Sequence, residues 1–370
     1  MNLFDNPWPF SQLNESHLSQ LELAEKNRIR VLGSIVFRKF LSQRQLAAGT
    51  KLQASTISNI IRDLKKIGLV FDGESIEAER VGPKETIIEI SSQCVWSIGL
   101  QLEPNLVRII VLNAQGHTLT QQTLPPGITT DAAIQSLPEK IKFFSDTYGL
   151  DLKRFGGIGV SIPGVVDAEK GTVLVSRPLK MTSRPLRSEI ETLTGYPVWI
   201  DRNVVCGAYA EYCQGAAKNR ESFIYFFLLS NPNQLDRFGM AILIGDQIFR
   251  GCNYAAGEVD YNLLSDYFSK AKENEKSPDA LYQACAESFI GFINLLDISS
   301  LVFASNDPDL TDERFQKLSD KITSGLVPVP GRKFNLLRSG IGVDGMLLGS
   351  GLLALHKALA EKVKKFTRNT

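Results

Sequence analysis

The residues of this chain that are best suited to chemistry lie near its middle, where an apolar stretch, residues 196–200, runs into Asp201, Arg202 and Asn203. The small residues that follow within the stretch 200–217 predict a helix. An acid between the end of a strand and the start of a helix stands where an α/β enzyme often carries its general base. Asp201 is therefore the first candidate for a catalytic base, and the elements that would position it must be identified.

Composition limits the class of protein. The 370 residues are 43% hydrophobic and 22% charged, which predicts a globular chain of two or three domains. No apolar run approaches the ~20 residues that span a bilayer, and the N-terminus lacks the pattern of a signal peptide. The five cysteines are scattered and form no CxxC pair, which argues against a disulfide framework and a zinc ribbon. We expect a cytoplasmic protein with no membrane partner.

A basic segment precedes a mildly acidic body. Residues 27–84 contain 11 Lys/Arg and 5 Asp/Glu, whereas the rest of the chain contains 30 and 35. Such a segment suits a polyanionic partner, although a chance surface imbalance would give the same counts.

The order of elements in this segment is more specific than its charge. Apolar spacing predicts a helix over 15–40, a short helix over 43–48 and a longer helix over 56–67. Ser42 and Gln45 fit a capping box before the short helix, and a second cap is expected at Ser55. Two strands, 69–71 and 86–90, would enclose a wing. This order is typical of a winged helix-turn-helix, and the alternative is a three-helix module that binds another protein.

The longer helix and the wing supply the candidate DNA contacts. Short polar side chains near the start of a recognition helix suit base edges, and later cations suit phosphates. The candidates are Ser55, Thr56, Ser58, Asn59, Arg62, Lys65 and Lys66, with Arg80 and Lys84 in the wing.

From Cys94 onward the pattern changes to an α/β fold. Three short strands joined by tight turns precede a helix over 131–148 and a strand over 156–166, and a similar alternation then repeats up to a C-terminal helix over 346–365. This pattern predicts a duplicated ribonuclease-H-like body of two lobes, as in actin and sugar kinases, with a ligand in the cleft between the lobes. The expected domains are 1–90, 91–200 and 201–370, with the C-terminal helix packing back on the first lobe.

Five sequence blocks carry a resemblance to one family. They are GIGVSIPGVVDAEKGTV at 157–173, AEYCQGAA at 210–217, IFRGCNYAAGEVDY at 248–261, FINLLDISSLVFAS at 292–305 and GVDGMLLGSGLLAL at 342–355. In this order, behind a winged helix-turn-helix, they resemble the ROK family of repressors and sugar kinases. The resemblance covers about residues 20–360 and implies either a DNA-binding regulator or a carbohydrate kinase.

Against that family, the nucleotide site of this chain is degenerate. The kinases open with an Asp-x-Gly-Gly-Thr-Lys turn, whereas this chain has QLEPNL at 101–106, whose proline and leucine cannot reproduce a nest of free amides. The second phosphate turn falls on residues 230–239, where only Gly239 of the family's glycines remains. The resemblance therefore implies no kinase activity and no nucleotide cofactor.

The resemblance also changes the interpretation of Asp201. The family pattern Glu-Asn-Asp, aligned through Ala210 and Glu211, puts Asn203 in the position of the catalytic aspartate. Asn203 carries no carboxylate and cannot accept a proton near neutral pH. A slipped register would return the role to Asp201, but that site would still lack a nucleotide.

The zinc site of the family is not expected here. The family holds the metal with the histidine of a Gly-Glu-x-Gly-His turn and a downstream cysteine cluster, whereas this chain has Tyr261 in place of the histidine and one isolated cysteine after it. We therefore predict no metal and no cofactor.

The resemblance leaves part of a sugar pocket. Glu258 matches a glutamate that binds sugar hydroxyls, Tyr261 could stack on a sugar ring, and Arg177 and Arg202 fall where the family has neutral amides. Two arginines suit an anionic sugar derivative, unless Arg202 merely pairs with a neighbouring acid. The candidate effector residues are Arg177, Arg202, Asn203, Glu258 and Tyr261.

Three hypotheses follow. The first is a DNA-binding regulator, expected to be a repressor of carbohydrate metabolism, that senses a sugar or an anionic sugar derivative with a non-catalytic body. It would bind a double-stranded operator as a homodimer or tetramer. The second is an active carbohydrate kinase with an accessory DNA-binding head. The third is a body without a ligand that serves only to dimerise the head.

Overall fold

The computed structural model describes residues 19–38, 41–76, 85–218, 220–229, 237–245, 247–258 and 278–369. The chain forms two compact units. The first unit comprises Met1–Asn203 together with Leu347–Thr370, and the second comprises Val204–Met346. Each unit contains one five-stranded sheet, and the three-domain division expected from the sequence stays a prediction.

The N-terminal part of the first unit, residues 20–90 (the head), consists of three helices and a small sheet. Its elements are α1 (Gln20–Arg38), β1 (Leu41–Ser42), α2 (Gln43–Thr50), α3 (Ala54–Lys66), β2 (Val70–Ile76) and β3 (Glu85–Ile90). The capping box before α2 is confirmed, because the Ser42 side chain accepts from the Gln45 backbone and the Gln45 side chain accepts from the Ser42 backbone. The strands pair antiparallel in the order β1-β3-β2.

An apolar stripe on α3 holds the head together. Ile57, Ile60, Ile61 and Leu64 recur at helical spacing and are buried. Arg28 of α1 pairs with Asp63 of α3 at 2.7 Å, which fixes the two helices against each other. The expected cap at Ser55 is wrong: α3 begins at Ala54, two residues earlier than expected, after Gln53, which makes no side-chain capping bond.

The large sheet of the first unit has the strand order β11-β7-β4-β5-β6, in which β7 runs parallel to β4 and to β11. The elements in chain order are β4 (Trp96–Glu103), β5 (Leu106–Asn113), β6 (Thr118–Thr123), α4 (Thr130–Gln135), α5 (Leu137–Tyr148), β7 (Phe155–Ile162), β8 (Val165–Asp167), β9 (Thr172–Ser176), β10 (Met181–Arg184), α6 (Leu186–Thr194) and β11 (Val198–Arg202). A continuous apolar core fills this unit, with Phe144 and Val160 among its fully buried residues.

The second unit repeats this strand order. Its sheet is arranged β14-β13-β12-β15-β16, again with an antiparallel meander of three strands followed by two parallel strands. The elements are α7 (Asn203–Gln214, whose first residue still belongs to the first unit), β12 (Phe223–Leu229), β13 (Arg237–Ile244), β14 (Gln247–Ile248), α8 (Pro278–Leu296), β15 (Ser300–Ser305), α9 (Asp312–Gly325) and β16 (Asn335–Arg338). Two sheets of one topology identify the body as a duplicated α/β fold.

The last helix, α10 (Gly345–Arg368), packs directly on the large sheet of the first unit. Three glycines of the sheet make room for it. A Cβ at Gly159 would lie 1.8 Å from the Ser350 carbonyl oxygen, one at Gly99 would lie 2.6 Å from the Gly351 amide nitrogen, and one at Gly156 would lie 2.6 Å from the Ala358 side chain. At Gly159 and Gly99 the backbone of α10 therefore lies directly against β7 and β4.

Helix α10 contacts the head at its middle and near its C-terminal end. Phe37 of α1 meets the ring of His356 edge-on at 5.2 Å between centroids, and the Arg28 guanidinium lies 5.6 Å from the centre of the Phe366 ring. Burial lowers the pKa of His356 to about 3, so this contact is uncharged at neutral pH.

The segment that joins the head to the large sheet is tied down at both ends. The Ser91 amide donates to the Leu69 carbonyl of the head at 2.9 Å, and the Ala114 amide donates to the Ser92 carbonyl at 3.1 Å. Arg154 also donates to the Gln93 carbonyl at 3.0 Å. The head is thus held to the first unit through hydrogen bonds of this segment as well as through α10.

Two expected elements are interrupted for local reasons. The helix expected over 131–148 is two helices, α4 and α5, because Pro138 in the first turn of α5 lacks an N–H and blocks continuation. The strand expected over 156–166 breaks into β7 and β8 at Pro163 and Gly164, and Gly164 has φ +115°. Helix α9 and strand β16 were not anticipated from the sequence.

One described segment, Gly342–Arg368, is long and apolar enough to span a membrane by length and composition, contrary to the expectation from the sequence. However, 78% of its apolar window is buried inside the protein, as in a core helix. Its apolar surface packs against the sheet of the first unit.

Candidate functional site

The strand end that first suggested a catalytic base is closed to solvent. Strand β11 pairs in parallel with β7, placing Asp201 opposite Ser161. Asp201 is fully buried, and its Oδ1 accepts from the Arg202 amide at 2.8 Å. Arg202 is 3% exposed. The carboxylate of Asp201 therefore supports the backbone at the junction of β11 and α7.

Asn203, the first residue of α7, is bonded to a carboxylate. Its Nδ2 donates to Glu103 Oε1 at 2.8 Å. Glu103 is the last residue of β4 and is 8% exposed. This contact, between residues 100 positions apart, could not be inferred from the sequence, which indicated only that Glu103 would repel phosphate. The Asn203 side chain, which the family pattern aligns with the catalytic aspartate, is thus hydrogen-bonded to the Glu103 carboxylate.

The turn after Glu103 is a tight hairpin. Strands β4 and β5 pair antiparallel with Glu103 opposite Leu106, which leaves only Pro104 and Asn105 in the turn. Asn105 has φ +60°, a conformation that asparagine tolerates better than most residues. Proline supplies no N–H, so this two-residue turn cannot form a phosphate-binding nest of amides.

The other expected pocket residues are spread over the two units. Arg177 is exposed in the turn after β9, in the first unit, and Glu258 is exposed in the second unit. Tyr261 and residues 230–236 of the second phosphate turn lie outside the described residues. Within the described part of the chain, no group of three or more His, Cys, Asp or Glu side chains is arranged to hold a metal ion.

The candidate DNA contacts on α3 present a polar face. Ser55, Ser58, Asn59, Arg62 and Lys66 are exposed, whereas Thr56 and Lys65 are half-buried. These side chains lie opposite the buried apolar stripe of the same helix. Lys65 is already engaged, because its Nζ lies 2.6 Å from Asp72 Oδ1 on β2. Arg80 and Lys84 lie outside the described residues.

Sequence reasoning missed a buried acid in the second unit. Glu211 is fully buried on α7, and its carboxylate accepts from the amides of Ala216 at 2.7 Å, Gly340 at 3.2 Å and Ile341 at 3.1 Å. The Ser339 hydroxyl donates to it as well. An acid within a helix of small apolar residues was the available signal, since such an acid must find donors.

Restoring a carboxylate at residue 203 is expected to damage the protein without creating a kinase. In Asn203→Asp, two carboxylates would face each other across the present 2.8 Å contact and lose its hydrogen bond. We expect a loss of ~1–3 kcal/mol in the free energy of unfolding at neutral pH, smaller in mild acid. Thermal unfolding at both pH values measures this, and an ADP-release assay with sugars should detect no turnover.

Asn335→Asp, an exposed change of the same chemistry on β16, is the control and should leave stability within ~0.5 kcal/mol. ATP-dependent phosphorylation by the Asn203→Asp protein would contradict the conclusion that the hairpin turn cannot bind nucleotide phosphates.

The sequence model of the ROK family matches residues 98–291. The xylose repressor of Caldicellulosiruptor bescii is 26% identical over 245 residues, which cover 66% of this chain and 60% of that repressor. The xylose repressor of Bacillus subtilis is 24% identical and has 60% of its length covered. The chain thus spans about three fifths of the length of the curated relatives that it matches.

Among solved structures, a ROK family transcriptional regulator described as a homolog of the E. coli MLC protein has a TM-score of 0.69 at 17% identity. The match covers 93% of this chain and 99% of that one. At this identity the similarity shows a shared fold, which extends over nearly the whole chain.

Proposed function

The chain belongs to the ROK family, and we propose that within it this protein is a DNA-binding transcriptional repressor whose non-catalytic body senses a sugar. The observation that carries this proposal is the head. A kinase needs no such element, whereas a regulator needs a module that binds DNA. Xylose repressors among the relatives favour the same class.

We assign the head to the winged helix-turn-helix class. Helices α2 and α3 follow each other across a short turn, and β2 and β3 form the hairpin from which a wing would extend. In this class the second helix of the pair enters the major groove. In that position the base edges would be contacted by Ser55, Ser58 and Asn59, and the phosphates by Arg62 and Lys66. This role accounts for the exposure of all five residues on a helix whose other face is buried.

The body is proposed to be a sensor without catalysis. At the position that the family pattern assigns to the catalytic base, Asn203 donates a hydrogen bond to Glu103. The hairpin turn at Pro104 and Asn105 provides no nest of backbone amides for nucleotide phosphates. Arg177, Arg202, Asn203, Glu258 and Tyr261 remain the proposed effector contacts from the family pattern. An operator of two half-sites would require a homodimer or a tetramer.

An effector changes DNA affinity only if it binds two arrangements of the protein unequally. The head is attached to the sheet of the first unit through α10 and through residues 91–95. We propose that these two attachments carry the signal. A coupling of ~1–3 kcal/mol corresponds to a 5- to 150-fold change in DNA affinity.

Duplex DNA binding by the full-length protein tests the first half of this proposal. We expect affinity to fall steeply with salt, and Arg62→Ala and Lys66→Ala each to weaken binding and reduce the salt slope by about one. Fluorescence anisotropy across a salt series gives both quantities. Lys142→Ala, an exposed lysine on α5, is the matched control and should bind as the wild type does. Equal binding by all four proteins would exclude α3 as the DNA-contacting element.

A sugar panel tests the second half. Thermal shifts and DNA release are measured with D-xylose, D-glucose, N-acetyl-D-glucosamine, D-gluconate and glucose 6-phosphate. Stabilisation by at least one sugar with loss of DNA binding supports a sugar-responsive repressor. Tight DNA binding unaffected by every compound would favour a body that serves only to dimerise the head.

A further inference from the structure

Strand β6 is the outer strand of the large sheet in the first unit, and its outer edge is open. It pairs with β5 on one side, and none of the described strands pairs with it on the other. The Leu124 amide donates to the Val107 carbonyl at 2.9 Å, so Gln122 also faces β5 in the alternation of an antiparallel ladder. The backbone N–H and C=O groups of Gln121 and Thr123 therefore point to the open edge.

The other edge strands in the described part of the chain carry features that hinder the addition of a further strand. Proteins protect open edges by keeping the strand short, by charged side chains and by bulges. Strands β1, β8, β10, β14 and β16 have only two to four residues. Strand β2 contains Asp72, Glu74 and a bulge, and β11 ends in Asp201 and Arg202.

Strand β6 lacks this protection over its last four residues. Its sequence, TLTQQT, contains no charged residue and no proline. The one shift in register lies opposite the start of the strand, between Val111 and Leu112, and residues 120–123 pair regularly with β5. The side chains of Gln121 and Thr123 are exposed. An uncharged, regular and exposed edge of this kind is a template for another extended segment.

Helix α5 adds an aromatic side chain next to this edge. Lys140 Nζ donates to Gln122 Oε1 of β6 at 3.4 Å, and it lies 6.0 Å from the centre of the Phe143 ring. Phe143 is 48% exposed, whereas the neighbouring Phe144 is fully buried in the core. An apolar ring therefore lies exposed near the open edge, on the face of the sheet that carries Gln122.

We propose that β6 pairs antiparallel with β6 of a second copy of this chain, so that the two large sheets join into one continuous sheet. A two-fold axis at Gln122 sets Gln121 of each chain opposite Thr123 of the other, and each such pair exchanges both backbone hydrogen bonds. No charged side chain lies in the paired segment, so the symmetric contact brings no like charges together.

The same axis places α5 of the two chains side by side on one face of the joined sheet, where the two Phe143 rings bury each other. A strand pair alone is a small contact, and the helices supply the apolar area that a stable interface needs. This inference rests on the proposed function, because an operator of two half-sites requires two heads, and it assigns the surface that joins them.

Two double variants distinguish strand pairing from a general effect of charge. In Gln121→Lys/Thr123→Lys, the introduced lysines face each other across the two chains and repel. In Gln121→Lys/Thr123→Glu, each introduced lysine faces a glutamate. Gln316→Lys/Thr323→Lys makes the same two substitutions at exposed positions of α9 and is the matched control. Phe143→Ala tests the contact between the helices.

Sedimentation velocity of the full-length proteins over a concentration series measures the Kd of the dimer. We expect the double-lysine variant of β6 and Phe143→Ala each to dimerise at least ~ten-fold more weakly than wild type. The lysine–glutamate variant and the α9 control should dimerise as tightly as wild type. Hydrogen exchange at the Gln121 and Thr123 amides should slow as the dimer forms, and melting temperatures confirm that the variants fold.

The strand pairing and the proposed function fail in different ways. A wild-type protein that stays monomeric, or a dimer that the double-lysine variant of β6 leaves intact, would overturn the pairing and leave the DNA-binding role standing. A lysine–glutamate variant as weak as the double-lysine variant would overturn the antiparallel register. If β6 pairs as described but wild type binds no duplex DNA, the proposed function fails and the pairing stands.

Discussion

Glu211→Gln is expected to lower the stability of the second unit by ~3 kcal/mol or more, because it puts an NH2 group where one carboxylate oxygen now accepts two of four hydrogen bonds. The carboxylate accepts from three backbone amides and a hydroxyl with no water-exposed surface. A glutamine amide brings two N–H donors to a site already filled by donors. Glu211→Ala should be worse, since it leaves all three amides without their present acceptor.

We expect the loss of the Glu211 contacts to open one segment of the chain before the whole second unit unfolds. The backbone amides of Gly340 and Ile341 and the hydroxyl of Ser339 all donate to Glu211, so the connection from β16 to α10 should open first. Hydrogen exchange at the Gly340 and Ile341 amides should accelerate, and calorimetry should show a lower melting temperature. Glu221→Gln is the same substitution at an exposed residue of this unit and should change stability by less than ~0.5 kcal/mol. Similar melting temperatures for the two variants would refute the clamp role of Glu211.

The second large effect is expected from Gly159→Ala. Its Cβ would lie 1.8 Å from the Ser350 carbonyl oxygen and 2.7 Å from the carbonyl carbon, which are backbone atoms of α10. No rotamer change can relieve a clash between two backbones, so the helix must shift away from the sheet. We expect a loss of ~3 kcal/mol or more in the free energy of unfolding, at the upper end for overpacked cores.

This substitution should also affect the head, because α1 packs on α10 through Phe37, His356 and the Arg28–Phe366 contact. We expect faster hydrogen exchange in α1 and weaker duplex DNA binding. Gly291→Ala on α8 is the matched control. Nothing lies within 4 Å of its added Cβ, so it should stabilise the protein by ~0.5–1 kcal/mol through helix propensity. Wild-type stability in Gly159→Ala would show that α10 does not rest on the sheet as described.

Features predicted from the sequence were confirmed where the residues that form them lie close together in the chain. Ser42 and Gln45 form their capping box because both partners lie within one turn of helix. The stripe on α3 follows from a 3.6-residue period, and the two-residue hairpin at Pro104 and Asn105 suits residues that favour turns. The expectation failed at Ser55, because α3 starts at Ala54, two residues before the start that a cap at Ser55 predicts.

The sequence by itself determined the family and the repeated α/β pattern, because both are a matter of residue identity at a fixed spacing, and it predicts that Asn203 stands in place of a carboxylate. Only the tertiary structure decided what Asn203, Glu211 and Gly159 contact. The Asn203–Glu103 bond joins residues 100 positions apart, the Glu211 contacts to Ser339 and Ile341 span 128 and 130, and α10 returns to Gly159 from the far end of the chain. Such contacts depend on sheet register and on close packing of distant backbones, and no local spacing in the chain encodes them.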